Sequence, residues 1–201
     1  MTSSKQDILK SIRNSAVDTI ELSAMDHAWI EYDDKMKQFE QVLAVVGGQA
    51  VFVRDRDEIK EVLGKLDVYD HAHKIYSSIE GIEKANIDLD AIDDPHELED
   101  VDVAIMSAEF GVAENAALWI TDVGLKHRVI YFIVQHLVLV VSAKDIVDNM
   151  HQAYERLDFK EPRFGVFISG PSKTADIEQS LVIGAHGPRS LTVFVVGSHV
   201  L

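Results

Sequence analysis

Residues 137–143 read "LVLVVSA", a nearly unbroken run of aliphatic and β-branched side chains. A strand with one wet face alternates apolar and polar residues, so a run apolar at almost every position predicts a strand covered on both faces. Immediately after it, Ile146, Val147, Met150, Tyr154 and Leu157 recur at helical spacing, which predicts a helix over 144–157.

Three further runs share this character: "VDVAIMSA" (101–108), "FGVFI" (164–168) and "SLTVFVV" (190–196). They are expected to join 137–143 in one mainly parallel sheet, with the 144–157 helix on its face. "QAVFV" (49–53), "KIYSSI" (74–79) and "AALWITD" (116–122) are additional strand candidates. Upstream, Tyr32, Met36, Phe39, Leu43 and Val46 step by three and four, which predicts an amphipathic helix stopped by Gly47 and Gly48. Ser4 and Asp7 have capping-box spacing before Ile8, Leu9 and Ile12, and Asp55 and Glu58 repeat it before a helix through Leu63. Strands alternating with helices define the fold class as α/β, a mostly parallel sheet with flanking helices. No repeat or Pro/Gly-rich linker divides the 201 residues, so one domain (1–201) is expected, with a helical N-terminal extension at about 1–46.

Composition narrows the function. A hydrophobic content of 47% suffices for one core. The longest apolar stretch, 129–141, is broken by Gln135 and His136 and is too short to span a bilayer. The opening "MTSSKQDILKSIR" lacks the apolar core of a signal peptide, so a cytoplasmic location without membrane insertion is expected. Without cysteine the chain has no disulfide, no thiolate nucleophile and no thiolate ligand for an iron–sulfur cluster. Its net charge of −15 repels nucleic-acid phosphates and anionic lipid, so neither partner is expected. Eight carboxylates crowd into 86–102 and read as a solvated loop and helix face. An anionic ligand would therefore need a local patch of donors.

One stretch offers such a patch: "ISGPSKTADIEQSLVIGAHGP" (168–188). Ligands of α/β sheets bind beyond the carboxyl ends of strands, and Ser169 follows the 164–168 strand directly. Gly170 permits a sharp turn and close backbone approach, and Pro171 stiffens it. Ser172 or Thr174 can cap a following helix, Lys173 supplies a cation, and Asp176 complements the helix dipole. The same residues serve either as a small anion or carboxylate site or as an ordinary capped strand-to-helix turn. The turn has one glycine where a dinucleotide fingerprint has three, and no second glycine before a Lys-Ser/Thr pair as in a phosphate loop. His186, between two glycines, either donates to a ligand carboxylate or satisfies a tight turn. Glu114, in a turn after Gly111, either faces a ligand or orders its loop by accepting backbone hydrogen bonds. His71 and His73 alternate as metal ligands on a strand do, but without a third ligand they read as a surface pair.

The 168–188 stretch resembles the C-terminal signature of the LUD-domain family, and "SAEFGVAENAALW" (107–119) is similar to a second signature of that family. Many members follow the Glu of that second motif with Thr-Gly, where this chain has Asn115 and Ala116. The resemblance covers 101 to the end; further upstream it extends only to the order of elements. It implies a fold similar to the CoA-transferase and ribose-phosphate-isomerase group, and a role in oxidising L-lactate to pyruvate. In that setting partner proteins carry the iron–sulfur clusters. This chain would hold no cofactor of its own and would bind a small carboxylate or anion, or organise those partners. By fold analogy with CoA transferases, which use a Glu nucleophile, the alternative is a free-standing acyl or CoA transferase, or a sugar-phosphate isomerase, acting through Glu114.

Overall fold

A computed structural model describes residues 4–15, 28–158, 164–175 and 181–197. In chain order these form α1 (Ser4–Asn14), α2 (Lys35–Val45), β1 (Gln49–Val53), α3 (Arg56–Leu63), α4 (Asp67–Asp70) and β2 (Ile75–Ser77). Then come β3 (Val103–Ser107), β4 (Phe110–Val112), β5 (Leu118–Thr121), α5 (Ile130–Ile133), β6 (His136–Ser142), β7 (Ile146–Val147) and α6 (Met150–Glu155). The chain closes with β8 (Gly165–Ile168), β9 (Lys173–Ala175), β10 (Leu181–Ile183) and β11 (Ser190–Val196).

The central sheet has the order β1-β11-β6-β3-β2 and every pairing in it is parallel. As the apolar run predicts, β6 is buried on both faces. Leu137, Leu139 and Val141 point into a core shared with Phe39 and Leu43 of α2, whereas Val138 and Val140 meet Ile59 and Leu63 of α3. A second sheet, β7-β4-β5-β8, lies on the α2 side, and α6 covers its outer face through Ala153 packed near Phe110 and Val112. The mixed α/β class with a mostly parallel, helix-flanked sheet is therefore present.

Two expectations change. The 164–168 strand is not in the central sheet: β8 pairs antiparallel with β5 at the edge of the second one. Trp119 of β5 leans across Gly165, where a Cβ would stand 2.1 Å from its ring, so this glycine selects the partner. The helix over 144–157 is also shorter. Residues 143–145 form a 3-10 turn, and Ile146 and Val147 are buried in a ladder with Gly111 and Val112. Only then does Asn149 start α6, its side chain accepting from the Gln152 N–H at 3.0 Å. The burial of two β-branched-type residues outweighed the helical period.

The acidic stretch does local work. Asp88 and Asp94 cap two 3-10 turns, Asp94 with Glu97 in a full capping box, while Asp93 and Asp100 pair with Lys126 and Lys74. At α3, Asp55 caps as expected, but Glu58 accepts from the Arg54 N–H, one residue before the cap. No helix among the described residues is long and apolar enough to cross a membrane.

The two N-terminal helices differ sharply: α1 buries no residue, whereas Phe39 and Leu43 of α2 are fully enclosed. Deleting residues 1–15 should leave the denaturant midpoint unchanged, because surface changes stay within about ±0.5 kcal/mol. Phe39→Ala should cost about 3–5 kcal/mol. Urea melts of the two variants check both.

Candidate functional site

The site grows from the register of β6 against β11, which sets His136 opposite Ser190. Both strands start at one level, so the segments entering them, α5 with Gln135 and the 184–189 loop, lie side by side. The Arg189 N–H donates to the Gln135 carbonyl at 2.8 Å. The Gly170 turn joins them: the Ser172 N–H donates to the Pro188 carbonyl at 2.8 Å and the Gly184 N–H to the Ser172 carbonyl at 3.0 Å.

Gly170 has φ +75°, and a Cβ there would sit 2.6 Å from the Val46 carbonyl oxygen at the end of α2. That end closes with Gly47 at φ +88° and the Gly48 N–H bonded to the Leu43 carbonyl at 2.8 Å, a Schellman closure. Among the described residues no helix follows the turn: Lys173–Ala175 forms β9, paired antiparallel with β10, where a capped helix was expected. Asp176 lies outside the described residues. The Lys173 side chain lies over the C-terminal turn of α2, its Nζ 3.5 Å from where a Gly47 Cβ would be, a position that suits a cation at a helix C-terminus.

Two adjoining cavities open between these segments. One, of about 240 Å³, has an apolar wall of Phe132, Leu137, Val166, Ile168 and Leu191 and a polar side of Ser172 and His186. Gly170 and Pro171 line it too. The other, of about 370 Å³, shares Phe132, His186 and Gly187 with the first and adds Gln135 and Arg189. Tyr131 backs the first cavity. Its hydroxyl donates to the Thr121 carbonyl at 2.9 Å, and burial pushes its pKa up to about 12, so it remains a neutral phenol. The site thus lies at the amino ends of the central strands, opposite to where the strand-end rule for α/β sheets puts it.

Glu114 is not among the residues lining either cavity. Its Oε2 accepts from the Met150 N–H at 2.9 Å, at the start of α6, and its own N–H donates to the Asp148 carbonyl at 2.9 Å. The neighbouring turn is tense: Ala116, fully buried, has φ +53°. Glycine would adopt this conformation without the Cβ strain that Ala116 carries. Ser169 ties the turn to the Gly170 loop by donating from Oγ to the Asn115 carbonyl at 2.7 Å. The two signature motifs therefore touch through Ser169, while Glu114 lines neither cavity and its carboxylate is engaged at the start of α6.

Phe132, Gln135 and Arg189 carry no local sequence signal of a site, although Arg189 directly follows the "GAHGP" motif. The same is true of the pair at the head of the sheet, where His136 Nδ1 and Ser190 Oγ are 2.7 Å apart. Burial and the nearby Arg189 charge hold the His136 pKa below the usual imidazole value, with Asp102 opposing. Burial works to raise the Asp102 pKa, but N–H donation from Lys74 and His73 keeps it low. Those donations are the part His73 plays; His71 sits at the end of α4, its Nδ1 3.0 Å from the Asp67 carbonyl. Among the described residues no group of three or more His, Asp or Glu is placed to hold a metal ion.

The family model of the LUD domain matches residues 65–196. Lactate utilization protein C of Geobacillus thermodenitrificans is 26% identical over 205 residues, covering 96% of this chain and 80% of that protein. Its namesake from Anoxybacillus flavithermus is 29% identical, covering 78% of this chain and 67% of the relative. Against the one from Halalkalibacterium halodurans, 31% identical, the match spans 49% of this chain and only 45% of the relative's length. The crystal structure of a DUF162 family protein from Deinococcus radiodurans has the same fold, with a TM-score of 0.63 at 18% identity over 81% of this chain and 96% of that one.

The two strained turns give substitutions of opposite sign. Gly170→Ala should destabilise by about 1–3 kcal/mol, since it adds left-handed strain and a clash with Val46. Ala116→Gly should be neutral or stabilise by up to about 1 kcal/mol, because relief of strain offsets the added chain entropy. Chemical denaturation separates them. For His136, the unfolded imidazole takes up its proton first as pH falls. Its contribution is thus whole above the ordinary imidazole pKa of about 6.5 and is lost as pH drops through the depressed folded value. The loss of stability between pH 7.5 and 5 should be smaller in His136→Gln than in wild type.

Proposed function

Since this chain belongs to the LUD-domain family, we propose that it is a cytoplasmic, non-redox accessory protein of L-lactate oxidation that works beside iron–sulfur partner proteins. The observation that carries this reading is the match to lactate utilization protein C along 96% of the chain. The cysteine-free sequence supports it, because thiolate-held clusters must then come from other chains. In this reading the chain's own chemistry is binding. The paired cavities hold a carboxylate, with Arg189 as the cation, His186 and Ser172 as hydrogen-bond partners, and the 184–189 loop fixed by its bonds to Ser172 and Gln135. The partners' clusters would carry the electrons.

A free-standing transferase would need the Glu114 carboxylate aimed at a substrate. One of its oxygens is instead engaged by the Met150 N–H. That arrangement favours a residue that orders its loop over a nucleophile.

The test is a lactate-dependent dye-reduction assay on the chain alone, the iron–sulfur partners alone, and the mixture. Turnover is expected to be greatest in the mixture and absent from the pure chain. Glu114→Gln should leave the rate of the mixture unchanged. Acyl transfer by the pure chain that Glu114→Gln abolishes would overturn the accessory reading, and so would full activity of the partners without this chain.

A further inference from the structure

The two cavities differ in character, and the difference specifies a ligand. The cavity beneath Phe132 has aliphatic and aromatic walls and neither Lys nor Arg among its lining residues, so a charge placed deep inside it would be uncompensated. Its neighbour has a cation, Arg189, and the amide of Gln135. The two meet at Phe132, His186 and Gly187, which line both. A three-carbon hydroxy acid such as lactate could satisfy the polar cavity but would leave the apolar one empty. An apolar cavity of about 150 Å³ accommodates a benzene ring, and this one is about 240 Å³.

We propose that the paired cavities take an amphipathic monocarboxylate, its head between Arg189 and His186 and its body, an aryl group or a chain of about six to eight carbons, beneath Phe132. The proposal rests on the carboxylate reading above and adds the tail. Phe132 is 38% exposed and has Phe164 packed edge-on at 6.5 Å, with the Arg128 guanidinium 5.1 Å over the Phe164 ring. The mouth is thus aromatic with a second cation nearby, which suits entry of a ligand that is apolar at one end and anionic at the other.

The experiment is calorimetric titration of the full chain with acetate, lactate, butanoate, hexanoate, octanoate and benzoate, and with hexyl phosphate as a change of head. Kd should fall about fourfold per methylene from butanoate and flatten between hexanoate and octanoate as the cavity fills. Lactate should bind no more tightly than butanoate. Arg189→Ala should weaken every carboxylate by a common factor of about tenfold or more. Val166→Phe should weaken hexanoate and octanoate while sparing acetate. If circular dichroism shows that Val166→Phe does not fold, the wild-type series and Arg189→Ala decide.

A series without chain-length dependence, tightest binding of lactate, or no binding at all would overturn the proposal. Hexyl phosphate binding more than tenfold tighter than hexanoate would overturn the carboxylate head. The lactate role stands or falls separately, on the mixing assay. A flat series with a lactate-dependent mixture would reject the tail and keep the role.

Discussion

The parallel register of β6 on β11, seven residues from Ser190 opposite His136 to Val196 opposite Ser142, is the constraint on which the rest of the molecule depends. Because side chains alternate along a strand, it assigns Leu137, Leu139 and Val141 to the layer shared with α2, and Val138 and Val140 to the layer shared with α3. A slip of one residue would exchange the two layers and put every side chain opposite the wrong surface. The same register fixes where the loops lie. Since the strands begin level, α5 and the 184–189 loop must enter side by side, and the cavities are the space left between them. Packing and site are consequences of one alignment.

That alignment also explains which parts could be read from the sequence. A strand buried on both faces has a local signature, so β1, β3, β6 and β11 were visible as apolar runs, and α2 was visible in its three- and four-residue steps. Strands of two or three residues have no period. Thus β4, β7, β9 and β10 leave no periodic signature, and Ile146 and Val147 fit the helical spacing of the residues that follow them. Pairing partners are a tertiary matter: the run at 164–168 looks the same whether it pairs with β6 or with β5, and the contact of Trp119 over Gly165 decides. For the candidate site, the density of Gly and Pro around Ser172 and His186 marks in the sequence two loops that border the cavities. Phe132 and Gln135 come from about fifty residues upstream and reach the site only through the β6–β11 register.

The two signature motifs show how a glycine requirement differs from a chemical one. Gly170 is demanded by the Val46 carbonyl, which leaves no room for a side chain. The Glu114 turn asks for a left-handed residue at position 116, and Ala116 meets that demand under strain. Both requirements are geometric. Ser169 links them with a single hydrogen bond to Asn115, so the motifs hold the second sheet to the end of α2 as much as they shape a pocket. Glu114 belongs to this framework, because its contact is the N–H that begins α6.

The position of the cavities follows from how the chain leaves the central sheet. The rule that ligands gather beyond the carboxyl ends of parallel strands assumes that each strand hands on to a loop and a returning helix. Here two of the middle strands do otherwise. After β3 only Ala108 and Glu109 intervene before β4, and after β6 a 3-10 turn over 143–145 leads straight into β7. At their carboxyl ends both strands therefore run on into the second sheet. The Ala108 N–H donates to the Val140 carbonyl at 2.8 Å and the Glu109 N–H to the Trp119 carbonyl at 2.9 Å, which closes that edge with backbone hydrogen bonds. At the amino ends the chain arrives from separate directions: from α5 into β6, from the β9–β10 hairpin into β11, and from the Gly47–Gly48 turn into β1. The β6 and β11 entries meet in a single backbone bond, Arg189 N–H to the Gln135 carbonyl, and do not form a continuous ladder, so space is left between them where an incoming molecule can be held.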